Sequence, residues 1–524
     1  MRFLSVNLDS FLIELNSLEE TLALYRQLQQ LGHSDIREMI PAARTILVYF
    51  DRWQIQAKVL MDWIAQQPVQ NQALDVGRER VIDVCYDGED LAPLADQLGW
   101  SVTELIQRHT QSHWQVAFIG FAPGFAYLVS PEQQFQNIPR LSSPRKKVPA
   151  GSVALANDYT GIYPKDSPGG WQLIGRTTSR MWDELRDPPA LLLPSDRVVF
   201  RDVTRQPTQV FLNESIAPKT VQTHQVSAEK AVLKVLKVGL QTLIQDQGRD
   251  QVAKLGVGQA GAMDKTALAS ANALVGNVKT AAALEILNGG FSAEVLQPTV
   301  IAVTGGMGSL WVTYPDQSRV DVGCYRAIAL DAGDRIEIAA PETGLRQYLA
   351  LRGGIAAPLI LGSRSYDSLA ELGSPPLQVG ALLEQADGET LAVQVEPLST
   401  PTLPRVGETV ELDIVLGPRT DWFSSESVEL LLEQTWQVSA DSNRVGLRLQ
   451  GQQALQRSQM QELPSEGTCT GALQVPPNGQ PVLFMNDHPL TGGYPVIAAV
   501  ATHHLSLVAQ IPAGCQIQFR QISE

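Results

Sequence analysis

The sequence predicts a mainly β protein, with β-barrel-like units following a small α+β domain. Composition is the first sign: 41 Gly and 32 Pro suit a turn-rich, strand-rich chain. Texture is the second, because from about residue 115 short strands alternate with Gly/Pro turns. The third is a repeated segment: Pro194-Ser-Asp-Arg-Val-Val-Phe200, Ala332-Gly-Asp-Arg-Ile-Glu-Ile338 and Ala513-Gly-Cys-Gln-Ile-Gln-Phe519. Each is a tight turn followed by the period-two alternation of a half-buried strand. They read as the closing strands of three barrel-like units.

The elements follow in order. Residues 2–8 read as a strand. Ser17-Leu-Glu-Glu20 is a capping box that opens a helix through Leu22, Tyr25 and Leu28, stopped by Gly32. A strand at Thr45–Phe50, a helix over 53–67 and a strand over 80–86 come next. Ser101-Val-Thr-Glu104 is a second capping box, starting a helix that ends near His113. Residues 1–114 thus form the α+β domain and 115–212 the first barrel. The polar stretch 213–231 lacks hydrophobic periodicity and reads as a linker. Two β halves remain, 232–350 and 351–524, with two helices: one over 265–275 capped by Asp264 and stopped at Gly276, and one opened by Ser424 or Ser425 through Leu432.

At 524 residues the chain has room for several cores without disulfide or metal staples. Its 40 Lys and Arg against 55 Asp and Glu give a net charge of −15, which counts against nucleic acid or an anionic membrane as the main partner. The four cysteines show no C-x-x-C spacing, so neither a metal site nor a dithiol redox pair is expected. Asp9 and Glu14 interrupt the N-terminal segment before a signal-peptide core can form, and no window approaches 18 apolar residues. The expectation is a cytoplasmic protein.

Phosphate-loop and H-E-x-x-H motifs are absent. Gly258-Gln-Ala-Gly-Ala-Met-Asp-Lys265-Thr266 imitates a phosphate loop, but Asp264 stands where Gly should precede the Lys. The helix N-terminus that follows still offers N–H groups to an anion. Gly467-Thr-Cys469-Thr-Gly471 imitates a nucleophile elbow, yet the strand-like residues after it favour a plain turn. His503 and His504, if on a strand, would face opposite ways. Two Gly-rich clusters carry polar residues: Ser167-Pro-Gly169-Gly170-Trp171 before Gly175-Arg176-Thr177, and Thr491-Gly492-Gly493-Tyr494-Pro495 after Asp487-His488. Paired glycines admit a ligand close to backbone N–H groups, and they also make ordinary tight turns.

Phe121-Ala-Pro-Gly-Phe-Ala-Tyr-Leu128, Pro144-Arg-Lys-Lys-Val-Pro-Ala-Gly-Ser-Val153 and the 161–177 stretch together resemble the KipI family, the B component of bacterial 5-oxoprolinase. Downstream, Gln245-Asp-Gln-Gly-Arg249, Gly261-Ala-Met-Asp264, Ala271-Asn-Ala-Leu-Val-Gly-Asn277, Leu284-Glu285 and Arg352-Gly-Gly-Ile355 resemble the KipA family, the C component of that enzyme. So do Ser442-Asn-Arg-Val-Gly-Leu-Arg-Leu449, Gln474-Val-Pro-Pro-Asn-Gly479 and the Asp487–Pro495 cluster. The resemblance spans nearly the whole chain, B before C. It implies cyclophilin-like β-barrels and ATP-dependent opening of 5-oxo-L-proline to L-glutamate, with Mg²⁺ as the counter-ion of ATP. A separate A component of the LamB/YcsF type would be the partner.

A route through a phosphorylated amide oxygen wants cationic and N–H donors, and a carboxylate to position water. Within the resemblance, Arg145, Arg176, Arg352 and Arg444 and the two Gly-Gly backbones suit the first role. Asp264, Glu285 and Asp487 suit the second, Asp264 foremost. Ser152, Tyr163, Ser167, Trp171, Thr177, Asn272, Asn443, Thr491 and Tyr494 complete the candidate substrate- and ATP-binding set. Two positions depart from the family pattern: Asp487-His-Pro-Leu-Thr491 stands for Asp-x-Gln-Thr-Thr, and Asn443 for an Asp. Two other readings compete. One is a carboxyltransferase-like component, since both halves resemble that region of urea carboxylase; no Met-Lys-Met stretch is present to carry biotin. The other is a regulator of a sensor histidine kinase, and fusing inhibitor to antagonist makes that awkward.

Overall fold

The computed structural model describes residues 1–67, 77–141, 143, 145–205 and 227–522; the predicted linker therefore lies outside the described residues up to position 226. Four antiparallel strands open the chain, in the spatial order Arg2–Asn7, Ser10–Glu14, Thr45–Phe50, Ile36–Pro41. The first capping box holds: Ser17 accepts the Glu20 N–H, and Gly32 ends the helix Leu18–Leu31 at φ 59°. Period-two alternation gives this sheet two apolar faces. Phe11, Ile13, Ile46 and Val48 meet Leu24 and Leu28 of that helix and Leu60 of the helix Ala57–Ala65. Leu12 and Leu47 face the other way, onto Phe484, Leu490 and Ala499 near the far end of the chain.

The second unit begins earlier than residue 115. Glu79–Val84 pairs in parallel along six residues with Arg197–Asp202, which also pairs antiparallel with Trp114–Ile119. A parallel pair cannot come from a hairpin, so strand Glu79–Val84 belongs with the segment that ends at Asp202. The division at 114 cuts through this sheet because the strand over 80–86, legible by itself, carries no local mark of its distant parallel partner. Helix Leu91–Leu98, which is not among the predicted elements, carries Pro93 in its first turn, where no helical N–H bond is lost. The spatial order is Gln172–Arg176, Ser152–Ala156, Tyr159–Ile162, Ala126–Val129, Trp114–Ile119, Arg197–Asp202, Glu79–Val84. Its two edges meet where Cys85 and Arg176 exchange N–H···O bonds of 2.9 Å.

A closed barrel ends the chain, in the order Thr409–Leu416, Val496–Val500, Ala472–Gln474, Val482–Phe484, Gly446–Gln450, Trp436–Val438, Gln516–Gln521. Here too the closing strand runs parallel to the first along six residues, and antiparallel to the strand after the helix Ser425–Glu433. The two barrels share one strand order. Each also carries a two-stranded ribbon at the same place in that order, Arg145–Val148 with Ser167–Gly169 and Glu466–Gly467 with Thr491–Gly492. The two Gly-rich clusters of the sequence are thus equivalent parts of two copies of one fold.

Between the barrels lies a unit of two sheets, six and five strands, rather than a third barrel. Its copy of the repeated segment, Arg335–Ile338, pairs antiparallel with Phe291–Val295 and Leu310–Thr313. A turn followed by alternating residues specifies a half-buried strand but not a parallel partner, so the repeated segment does not by itself make a third barrel. Strand Leu382–Glu384 pairs with Ala231–Val238, carrying this unit past the predicted division at 350. Helix Lys265–Leu274 lies on the five-stranded sheet through Leu268, Ala271 and Leu274 against Ala302, Tyr348 and Ala350. Among the described residues no helix is long and apolar enough to cross a membrane.

Candidate functional site between the two halves

Four residues predicted from separate motifs meet in one buried network between the two-sheet unit and the closed barrel. Arg444 lies at its centre. The guanidinium donates to Glu285 Oε1 at 2.5 Å, to Asp487 Oδ2 and Oδ1 at 2.8 and 2.9 Å, and to the Gly261 carbonyl at 2.7 Å. Glu285 Oε2 accepts the Met263 N–H and the Tyr348 hydroxyl, both at 2.8 Å. Asp487 Oδ2 accepts the Ser368 N–H and hydroxyl. Burial alone would lower the Arg444 pKa, but Asp487 and Glu285 outweigh it and hold it raised. Charges this deep persist only when paired and hydrogen-bonded, as these are.

Asp264 sits at the edge of the same network, in its other predicted capacity of helix cap. Oδ1 accepts the Ala267 N–H at 2.9 Å, and Oδ2 accepts from Gln510 Nε2 at 2.8 Å. Its carboxyl pKa is raised, by burial first, with Gln510 and Ala267 opposing. The cap carboxylate also fills the helix N-terminus that the sequence offered to an anion.

The Asp487 segment continues into the seam with the first barrel. Thr491 Oγ1 accepts the Phe121 N–H at 3.2 Å, and a Cβ on Gly120 would stand 2.8 Å from that oxygen. Phe121 holds φ 65°, a left-handed conformation costly for a bulky residue. Behind it the aromatic rings of the Phe121–Leu128 motif pack edge to face. Phe125 meets Tyr163 at 5.2 Å and Trp171 at 5.3 Å, and Tyr127 meets Trp171 at 5.5 Å. The Thr491 and Ser465 side chains lie beside the Tyr127 phenol. Gly169 permits this packing, since a Cβ there would be 2.3 Å from the Tyr163 hydroxyl. Gly124 N–H donates to the Leu255 carbonyl at 3.0 Å, locking the same loop onto the two-sheet unit. The seam joins Phe121–Trp171 of one half to Thr491–Gly493 of the other.

The remaining predicted residues are each held within the protein. Arg145 is ion-paired with Glu89 and Asp90, and Arg176 with Asp87. Arg352 donates to the Val275 carbonyl, and Asn272 to the Ala281 carbonyl while it accepts from Asn277. Asn443 Oδ1 accepts the Val445 and Gly446 N–H groups of its own turn. Ser152 is buried within its strand, Ser167 donates to the Lys165 carbonyl, and Thr177 accepts the Ser179 N–H. Gly170 accepts the Leu141 N–H, Gly492 packs against Gln474, and Tyr494 lies over Arg457. Cys469 is buried, and burial pushes its thiol up to about 12, far from a nucleophile's range. His503 and His504 occupy the short helix Thr502–His504 rather than a strand, so both approach Asp413 and offer three ligand atoms within 4.8 Å. Arg520 binds Asp413 Oδ1, His503 Nε2 bonds Asp413 Oδ2, and His504 Nδ1 accepts the Asp413 N–H, so these atoms are engaged within the protein.

Sequence reasoning missed Arg140. Its Nε is buried without an acceptor, and its Nη1 is 3.8 Å from where a Cβ on Gly493 would stand. It lies outside the resembling motifs, and no local pattern marks it.

Comparison with known proteins accounts for this joining of halves. Residues 255–521 match the carboxyltransferase domain, subdomain A and B, and residues 1–192 match subdomain C and D. The chain belongs to the carboxyltransferase-domain family. Its A and B region, with flanking residues, is 37% identical over 295 residues to the C component of the 5-oxoprolinase of Escherichia coli K12, covering 56% of this chain and 92% of that one. The C and D region is 37% identical over 170 residues to the B component of the 5-oxoprolinase of Escherichia coli O157:H7, covering 32% and 78%. Urea amidolyase of Lachancea kluyveri is 29% identical over 342 residues, 60% of this chain but only 18% of that protein. The crystal structure of TTHA0988 superposes over 98% of this carboxyltransferase-family chain and 99% of its own, with a TM-score of 0.81 and 29% identity. The seam therefore lies between the C/D region and the A/B region.

Proposed function

We propose that this chain combines the B and C functions of a 5-oxoprolinase and cleaves 5-oxo-L-proline to L-glutamate, with ATP hydrolysis, together with a separate A component of the LamB/YcsF type. One observation carries the reading: regions similar to two separate polypeptides of one enzyme occur here in one chain, and their signature segments meet at Phe121 and Thr491. Relatives that each form part of a larger enzyme support a component role that requires a further polypeptide.

The backbone N–H of Gly493 suits the lactam carbonyl oxygen, where negative charge develops. The described residues do not fit ATP in the manner the sequence suggested. Arg145 and Arg176 are neutralised by Glu89, Asp90 and Asp87, and the helix N-terminus at Lys265 is filled by Asp264. Nucleotide binding is accordingly assigned to the partner.

The test is glutamate formation from 5-oxo-L-proline with ATP and Mg²⁺, using this chain by itself and with the A component added. Turnover confined to the mixture is expected; none in either arm rejects the reading. A carboxyltransferase role is the second reading, favoured by the 60% of this chain that aligns with urea amidolyase. Capture of a biotinylated carrier protein, with no glutamate formed, would establish it instead.

A further inference from the structure

Arginines near the two Gly-Gly clusters are nearly all spoken for. Arg145 and Arg176 have carboxylate partners, Arg444 has two, and Arg457 donates to the Val475 carbonyl. Arg140 differs: among the described residues no hydrogen bond or ion pair reaches its guanidinium, and its Nε is buried. Its backbone is fixed from both sides, since the Pro139 carbonyl accepts from Gln172 at 2.7 Å and Leu141 N–H donates to the Gly170 carbonyl at 2.8 Å. Its charge reaches Tyr127, Tyr159 and Tyr163, where it opposes the rise that burial imposes on each phenol. On its other side lies Gly493, near enough that a Cβ would come within 3.8 Å of Nη1. A forked, permanently charged donor is therefore held near the Tyr127, Tyr159 and Tyr163 phenols of one barrel and the Gly493 backbone of the other, with no acid among the described residues to neutralise it.

We infer that Arg140 is the carboxylate-recognition residue of the seam, binding the carboxylate of a small cyclic amide held beside the Gly493 backbone. A planar carboxylate matches the guanidinium fork bidentately, which an ammonium in the same place would not. The identity of the cyclic amide rests on the function proposed above; the choice of a carboxylate rests on Arg140 alone.

Calorimetric titration of the full chain separates the two. The probes are 5-oxo-L-proline, cyclopentanecarboxylate, which keeps the acid without the amide, and 2-pyrrolidinone, which keeps the lactam without the acid. Arg140→Gln should weaken both carboxylates by about tenfold or more and leave 2-pyrrolidinone within about twofold, with Arg140→Lys in between. Its melting temperature should match the parent's, because no described protein group loses a partner. Equal weakening of all three probes, no weakening of any, or failure of the parent chain to bind either carboxylate would overturn the assignment. If cyclopentanecarboxylate binding depends on Arg140 while the mixture with the A component never forms glutamate, the Arg140 role stands and the 5-oxoprolinase reading falls.

Discussion

Asp264 illustrates how one residue type serves two chemistries. The sequence placed it at a helix mouth, and the structure engages both its oxygens, one by Ala267 and one by Gln510. Gln510 cannot turn its amide over, because its Oε1 accepts the Leu345 and Arg346 N–H groups. Asp264→Asn therefore sets one NH₂ against another or gives up the cap. We expect it to cost about 1–3 kcal/mol in urea unfolding, where a simple cap replacement would be almost silent. Asp367 supplies a pH test. Burial and the nearby Asp487 charge raise its carboxyl pKa to about 6, against the opposing pull of Arg249. The native state then holds a proton that the unfolded chain, at 3.8, has released. Its contribution to stability is complete below about 4 and is lost as pH rises through about 6. Asp367→Asn keeps an oxygen for the Leu369 and Ala370 N–H groups and cannot ionise. Relative to the parent it should gain roughly 1–3 kcal/mol between pH 4 and pH 7.5, read by urea midpoints.

At the scale of elements, the short helix Ala253–Leu255 ties three units together. Val252, Leu255 and Val257 join the core of the first barrel, and the Ala253 N–H donates to Glu38 of the N-terminal sheet at 2.9 Å. Gly256 ends the helix at φ 78°, with the Ala122 carbonyl 2.5 Å from any added Cβ. Gly256→Ala should destabilise by about 2 kcal/mol or more and move Phe121 off Thr491, visible in near-UV circular dichroism. The capping boxes at Ser17 and Ser101 and the caps at Asp264 and Ser424 were legible because each is a local contract between neighbours. The parallel partner of Glu79–Val84 was not, since its identity depends on residues far along the chain. The candidate site was legible to the same degree. Its motifs stand out as strings, yet Arg444 meeting Glu285, and Thr491 meeting Phe121, are facts of tertiary packing. Arg140 carries no local pattern at all.

Across the whole molecule, no unit buries its surface alone. The N-terminal sheet covers the closed barrel through Leu12 and Leu47, and Arg419 joins Glu14 of that sheet to Glu466 of the barrel. Asn7 donates to the Val500 carbonyl at 2.9 Å, and Lys165 reaches Glu371 at 3.2 Å. A chain severed between residues 205 and 227 should therefore stay associated. Size-exclusion chromatography of the two co-expressed pieces should show one species of the parent's size, and separate elution would contradict the interlocking described here.

The shared strand order has a kinetic consequence. In each barrel the first strand finds its parallel partner only in the last, more than a hundred residues later. A ribosome must release nearly the whole of a barrel before it can close, and until then the first strand waits with an open edge. Loop closure over such distances is slow, and a waiting edge is the place where wrong partners add. Having two copies of one strand order makes the hazard specific, because each waiting strand could accept the closing strand made for the other barrel. The six-residue parallel registers, set 79–84 against 197–202 and 409–414 against 516–521, are what newborn chains must tell apart.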